Sequence, residues 1–198
     1  MKTKFNILVV VTTFPAVTET FIINQITDLI DKGHKVTVFA YVKPKNQPMH
    51  QIVTDYDLEK IVVTHFKNAG NKLRIINEAI LFYKKHFFQI NHLKILSLLN
   101  PLLLSKNLKK IKIYYDLPIL LFKNQFDIIY FDAFGYRVQP ELWSVKIFTK
   151  MFEALKKDGI LVTYACRGPI KNAMKEAGFK IEKLAGPPGK REMLRGWK

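Results

Sequence analysis

The stretch FDIIYFDAFGYRVQPELW, Phe126 to Trp143, holds the residues best placed to do chemistry. It opens as an apolar strand through Ile128, Ile129, Tyr130 and Phe131, and an acid, Asp132, follows where that strand should end. In an open α/β sheet, ligands sit outside the carboxyl ends of the strands, so Asp132 is the expected reaction centre. A carboxylate there can accept a hydrogen bond from a bound ligand or take a proton from it. It can equally cap the turn that follows through Gly135 to Pro140. His34, His50, His65, His86 and His92 show no metal-ligand spacing, so no metal is expected. The single cysteine, Cys166, reads as a small buried residue; it excludes an internal disulfide and suits a reducing, cytoplasmic setting.

The elements that must position Asp132 are legible on both sides of it. Phe5–Val11 is a near-continuous β-branched run, the mark of a strand buried on both faces. Thr18 offers an N-cap, Phe21, Ile22, Ile26, Leu29 and Ile30 repeat at helical spacing, and Gly33 stops the helix. Val36–Tyr41 is the next strand, so a right-handed parallel crossover is expected. A loop over Lys43–Pro48 and a third strand over Leu58–Thr64 follow. Lys72–Asn107 has a helical pattern broken at Asn100-Pro101, with lysines among its apolar residues. That pattern fits a core-facing helix with a solvated face, or a basic amphipathic helix on a membrane surface; its apolar pieces are too short to span one.

Beyond Trp143 the sequence predicts a helix to Leu155 ended by Asp158-Gly159, a strand over Ile160–Tyr164, a helix over Ile170–Ala177 and a strand over Phe179–Leu184. After a Gly186–Gly189 turn, Glu192–Trp197 reads as a closing antiparallel strand. The sum is one α/β domain over residues 1–198, a Rossmann-like, doubly wound, mostly parallel sheet of six or seven strands, with antiparallel pairing at its C-terminal edge. Hydrophobic residues make up 48% of the chain, which suits a packed core, and no cleavable leader is visible. The formal net charge of +16 draws on both halves and favours a polyanionic partner, RNA or an anionic membrane surface, unless the lysines are simply solvated.

Two family resemblances divide the chain. From about residue 126 to 198, FDIIYFDAFGYRVQPELWS, ALKKDGILVTYA and AMKEAGFKIEKLAGPPGKREML are similar to the closing part of the MnmC/MnmD-type tRNA methyltransferases. Those enzymes methylate 5-aminomethyl-2-thiouridine at the wobble position, so the resemblance implies S-adenosylmethionine as cofactor and tRNA as partner. It implies that Asp132 lines the reaction centre, that Phe134, Pro140, Glu141 and Trp143 shape the pocket, and that Lys190 and Arg191 face the polyanion. A carboxylate suits this chemistry, because methyl transfer needs a neutral, oriented amine. Trp143 can stack on a base or pack into the core.

Over residues 1–130, ILVVV, FPAVTETFIINQITDL and GHKVTVFAY resemble the N-terminal acceptor domain of family-4, GT-B glycosyltransferases. That resemblance implies a sugar nucleotide or lipid-linked acceptor, a peripheral place at the inner membrane, and Thr18 and Glu19 at the cleft rim. The same two residues also suit a helix cap and first turn. Neither family's cofactor or donor half is present. After ILVVV comes TTFPAVTETF without a glycine, after VTVFA comes Tyr41-Val42-Lys43 without an acid, and no second glycosyltransferase domain is expected within these 198 residues. Three readings therefore follow: a methyltransferase-like protein, a glycosyltransferase-like acceptor domain, and a catalytically silent chimera joined at FDIIY.

Overall fold

The computed structural model describes residues 3–16, 20–44, 50–64, 122–133, 135–186 and 192–198. Among them runs a seven-stranded sheet of order β3-β2-β1-β4-β5-β7-β6. Its strands are β1 (Asn6–Thr13), β2 (Lys35–Val42), β3 (Val62–Thr64), β4 (Phe126–Asp132), β5 (Leu155–Thr163), β6 (Lys180–Ala185) and β7 (Glu192–Trp197). The helices are α1 (Thr20–Asp31), α2 (Gln51–Asp55), α3 (Val145–Ala154) and α4 (Gly168–Glu176), with 3-10 turns at Leu58–Ile61 and Pro140–Trp143. β1 pairs in parallel with both β2 and β4, β3 extends β2, and β5 extends β4. β7 then runs antiparallel between β5 and β6. This is the doubly wound α/β class with an antiparallel edge.

The β-branched run of β1 occupies the centre, where both faces of a strand must be apolar. Its alternation divides the interior. Leu8 and Val10 join Phe39, Ile129 and Phe131 under Ile147, Phe148 and Met151 of α3 and Met174 of α4. Ile7, Val9 and Val11 join Val36 and Val38 under Ile22, Ile23 and Ile26 of α1. Each fully buried aliphatic or aromatic side chain contributes about 1.5–3 kcal/mol, so this central strand anchors both layers. Strands from both sequence segments share the one sheet, with Ile7 opposite Ile128 and Val11 opposite Asp132.

At the amino edge a carboxylate fastens the β1–β4 contact. Asp127 Oδ2 accepts the Asn6 N–H at 2.7 Å, and both its oxygens accept from Lys156 Nζ at 2.8 and 2.9 Å. Gly33 ends α1 with φ +83°, a conformation that favours glycine. There the Gly33 N–H bonds the Ile30 carbonyl and the His34 N–H bonds the Leu29 carbonyl.

Two local expectations change. Leu58–Ile61 is a 3-10 turn rather than strand, because Leu58 is fully buried and Lys60 N–H bonds back to Asp57 O at 2.9 Å; only Val62–Thr64 pairs with β2. The helix after Trp143 stops at Ala154, before Asp158-Gly159. Leu155 is buried and already pairs with Phe126, and the register then shifts so that Ile128 faces Ile160. The extra residues are taken up around Asp158, at φ +63°, and Gly159, where a Cβ would meet Lys156 O at 2.9 Å and Asp127 O at 3.2 Å. The helical pattern over 72–107 lies outside the described residues.

Candidate active site

The strand order reverses between β1 and β4, and the crevice outside their carboxyl ends is where such a sheet holds ligands. Asp132 is the last residue of β4 and is partly buried. It alternates with Ile128 and Tyr130, which pack on the α1 side, so it lies on that face with Val11 as its β1 partner. Thr12 and Thr13 close β1 beside it, Thr12 being buried. Tyr130, one turn of the pleat below, has its hydroxyl pushed up by burial and by Tyr164 at the end of β5, against a lowering from Lys32.

The chain then folds back on itself. Gly135 O accepts the N–H of Val138 at 2.8 Å and of Gln139 at 3.3 Å, and Leu142 N–H bonds Gln139 O at 3.3 Å. Pro140 opens the 3-10 turn, where its missing N–H is harmless. Pro140 and Glu141 are exposed at this loop, and Ser144 Oγ donates to Glu141 O at 2.8 Å. Trp143 is buried, its ring 4.7 Å from Phe131 and 6.3 Å from Phe148. Its position makes it the wall that holds the loop on the sheet rather than a surface on which a base can stack. Thr18, Glu19, Phe134, Lys190 and Arg191 lie outside the described residues. β6 ends and β7 begins at the carboxyl edge, with Ala185 opposite Glu192.

Three further features of this edge have no signal in the local sequence. Arg137 and Arg167 are exposed on the loops after β4 and β5. Lys183 Nζ meets Glu192 at 2.8 Å, which holds the Glu192 carboxyl below the usual range and the Lys183 amine above its own. The Cys166 thiol is pushed up by burial and then by Glu192, while Lys171 and Lys183 oppose the rise. Among the described residues, no three His, Cys, Asp or Glu side chains come together as a metal site. No helix among them is long and apolar enough to cross a membrane.

Residues 103–198 match the model of an S-adenosyl-L-methionine-dependent methyltransferase family. The match takes in Asp132, the loop behind it and the antiparallel edge. A tRNA 5-methylaminomethyl-2-thiouridine biosynthesis bifunctional protein MnmC of an Azoarcus species is 37% identical over 70 residues, 35% of this chain and 11% of that protein. The protein of the same name from Actinobacillus pleuropneumoniae is 32% identical over 85 residues, 42% of this chain and 13% of that protein. The similarity thus spans only a small part of these relatives' length. The crystal structure of MNMC2 from Aquifex aeolicus superposes over 98% of this chain and 53% of that one, with a TM-score of 0.53 at 14% identity. At that identity the likeness is one of fold, and it extends through β1, α1 and β2. The glycosyltransferase resemblance of residues 1–130 gains no support from these matches.

The first loop and the end of β2 do not fit the usual hold on a nucleoside cofactor. That hold needs a glycine where the backbone approaches the ligand and an acid for the ribose hydroxyls. Here Phe14 is fully buried after β1 and its N–H bonds Val42 O at 3.0 Å, while β2 ends in Tyr41 and Val42. What the described carboxyl edge offers is an acid on β4, a buried loop wall and basic side chains around them.

Proposed function

We propose that this chain is a methyltransferase-like protein whose methyl donor is S-adenosylmethionine and whose acceptor is the primary amine of 5-aminomethyl-2-thiouridine at the tRNA wobble position, in the cytoplasm. The observation that carries this reading is the placement of Asp132: it lies within the stretch matched by the methyltransferase family model and at the carboxyl end of β4, beside the switch point. An amine bound there can donate an N–H to the Asp132 carboxylate, which would hold the nitrogen in position and can accept a proton from it. Trp143 and Leu142, both buried, fix the loop beside it. Pro140, Glu141 and Phe134 border the pocket in this reading. Lys190 and Arg191, together with Arg137 and Arg167, meet the phosphates, and a chain of net charge +16 binds that polyanion with a steep salt dependence.

The test is methyl transfer from labelled S-adenosylmethionine to under-modified tRNA, with calorimetry of cofactor binding alongside. Asp132→Asn should lower turnover by roughly 10²–10⁴, the usual worth of a positioned general base, in a protein that still folds by circular dichroism. No cofactor binding at millimolar concentration would sink the assignment.

A further inference from the structure

Two lysines from different elements meet at the carboxyl edge of the antiparallel end. Lys183 stands near the end of β6, and Lys171 in the first turn of α4. Ile181 and Leu194 pack into the layer of α3 and α4, so Lys183 and Glu192, each two residues from one of them, face the same side. There Glu192 Oε1 accepts from Lys183 Nζ at 2.8 Å, both side chains being nearly half exposed. The Lys171 side chain reaches the same amine, and Glu192 and the Cys166 thiol feel both lysines. Ammonium groups only donate, so neither lysine can satisfy the other, and their charges repel. The one carboxylate set against this pair is already engaged by Lys183. An oxyanion with several acceptor oxygens relieves the repulsion and takes charge-assisted hydrogen bonds from both amines.

We infer that Lys171 and Lys183 together clasp one phosphate group, which the backbone of an RNA strand supplies. The source of the phosphate rests on the tRNA reading above; the clasp itself involves no methyl donor. A net charge of +16 draws the strand to the protein, and the clasp fixes where one of its phosphates sits. Glu192 keeps Lys183 turned toward Lys171. The bound phosphate offsets the two lysines that hold the Cys166 thiol down, so an occupied clasp leaves less thiolate at that residue.

The test is binding of an unmodified tRNA transcript over a range of potassium chloride concentrations, with no methyl donor present. The double variant Lys171→Gln/Lys183→Gln, folded by circular dichroism, should bind more weakly. Its slope of log Kd against log salt should fall by about one, because a single phosphate contact is lost. Lys157→Gln, exposed at the amino end of β5, should leave the slope unchanged. A fall of about two in the double variant would mean two separate contacts, and no fall would mean solvated lysines. Either result overturns the inference and leaves the tRNA reading intact. A wild-type protein that binds no tRNA overturns that reading instead, and alkylation of Cys166 by iodoacetamide then decides the clasp. At constant ionic strength, exchanging chloride for inorganic phosphate should slow alkylation of the wild type severalfold and leave the double variant unaffected; that result supports a clasp for the phosphate of a smaller ligand. Equal wild-type rates in the two salts would overturn the clasp itself.

Discussion

Removing the Asp127 carboxylate should loosen the amino edge of the β1–β4 contact, and the two kinds of bond it makes predict separable costs. The first is the 2.7 Å bond from the Asn6 N–H. Leaving a part-buried backbone donor without its acceptor costs about 1–3 kcal/mol. The second is the ion pair with Lys156 at 2.8 Å, in which the two side chains are 39% and 26% exposed. Solvent screening limits such a pair to about 1 kcal/mol or less. Asp127→Ala should therefore cost about 1–4 kcal/mol, a large part of a domain's total stability, and lower Tm by roughly 2–16 °C. Asp127→Asn retains an oxygen for the Asn6 N–H and loses only the charge, so it should cost under about 1 kcal/mol, as should Lys156→Met. Urea unfolding at constant m-value measures all three. If Asp127→Asn or Lys156→Met proves as costly as Asp127→Ala, the ion pair is the dominant bond and the reasoning fails.

Other substitutions bear on the packing around the site. Gly196→Ala should destabilise by about 1–3 kcal/mol, because the new Cβ would stand 2.8 Å from Met174 Cε and 2.9 Å from Phe179 Cδ1; Gly168→Ala, with nothing within 4 Å, should be neutral or slightly stabilising in the same melt. Trp143→Ala should cost about 3–5 kcal/mol in denaturant unfolding, as expected for a buried wall between Phe131 and Phe148. Cys166 should alkylate more slowly than an unperturbed thiol at mildly alkaline pH. Burial and Glu192 raise its pKa, so less thiolate is present there, and Glu192→Gln should speed the iodoacetamide reaction by removing a raising charge.

Pattern alone was enough for most of the frame. A β-branched run such as Ile7–Val11 is stable only where both faces are covered, so its central place follows from composition. The closing antiparallel strand at Glu192–Trp197 and the helix stop at Gly33 follow from equally local rules. Local rules failed where a partner elsewhere in the chain decided the outcome. Leu58–Ile61 looks like strand, yet the burial of Leu58 in the core with Ile22, Ile26 and Val36 draws the segment into a 3-10 turn. Leu155 looks like the end of a helix, yet Phe126 pairs with it and starts a strand.

The candidate site divides in the same way. Asp132 could be singled out because an acid at the end of an apolar strand is a one-dimensional pattern, and strand direction places it at the ligand-binding edge. Trp143 could not be assigned between base stacking and core from its neighbours in sequence; contact with Phe131 and Phe148 buries it. Element type depends on short-range periodicity, which the chain carries within itself. Burial, register and unsatisfied polar atoms depend on contacts between residues more than a hundred positions apart, as between Asn6 and Asp127, and these come into being only when the sheet closes.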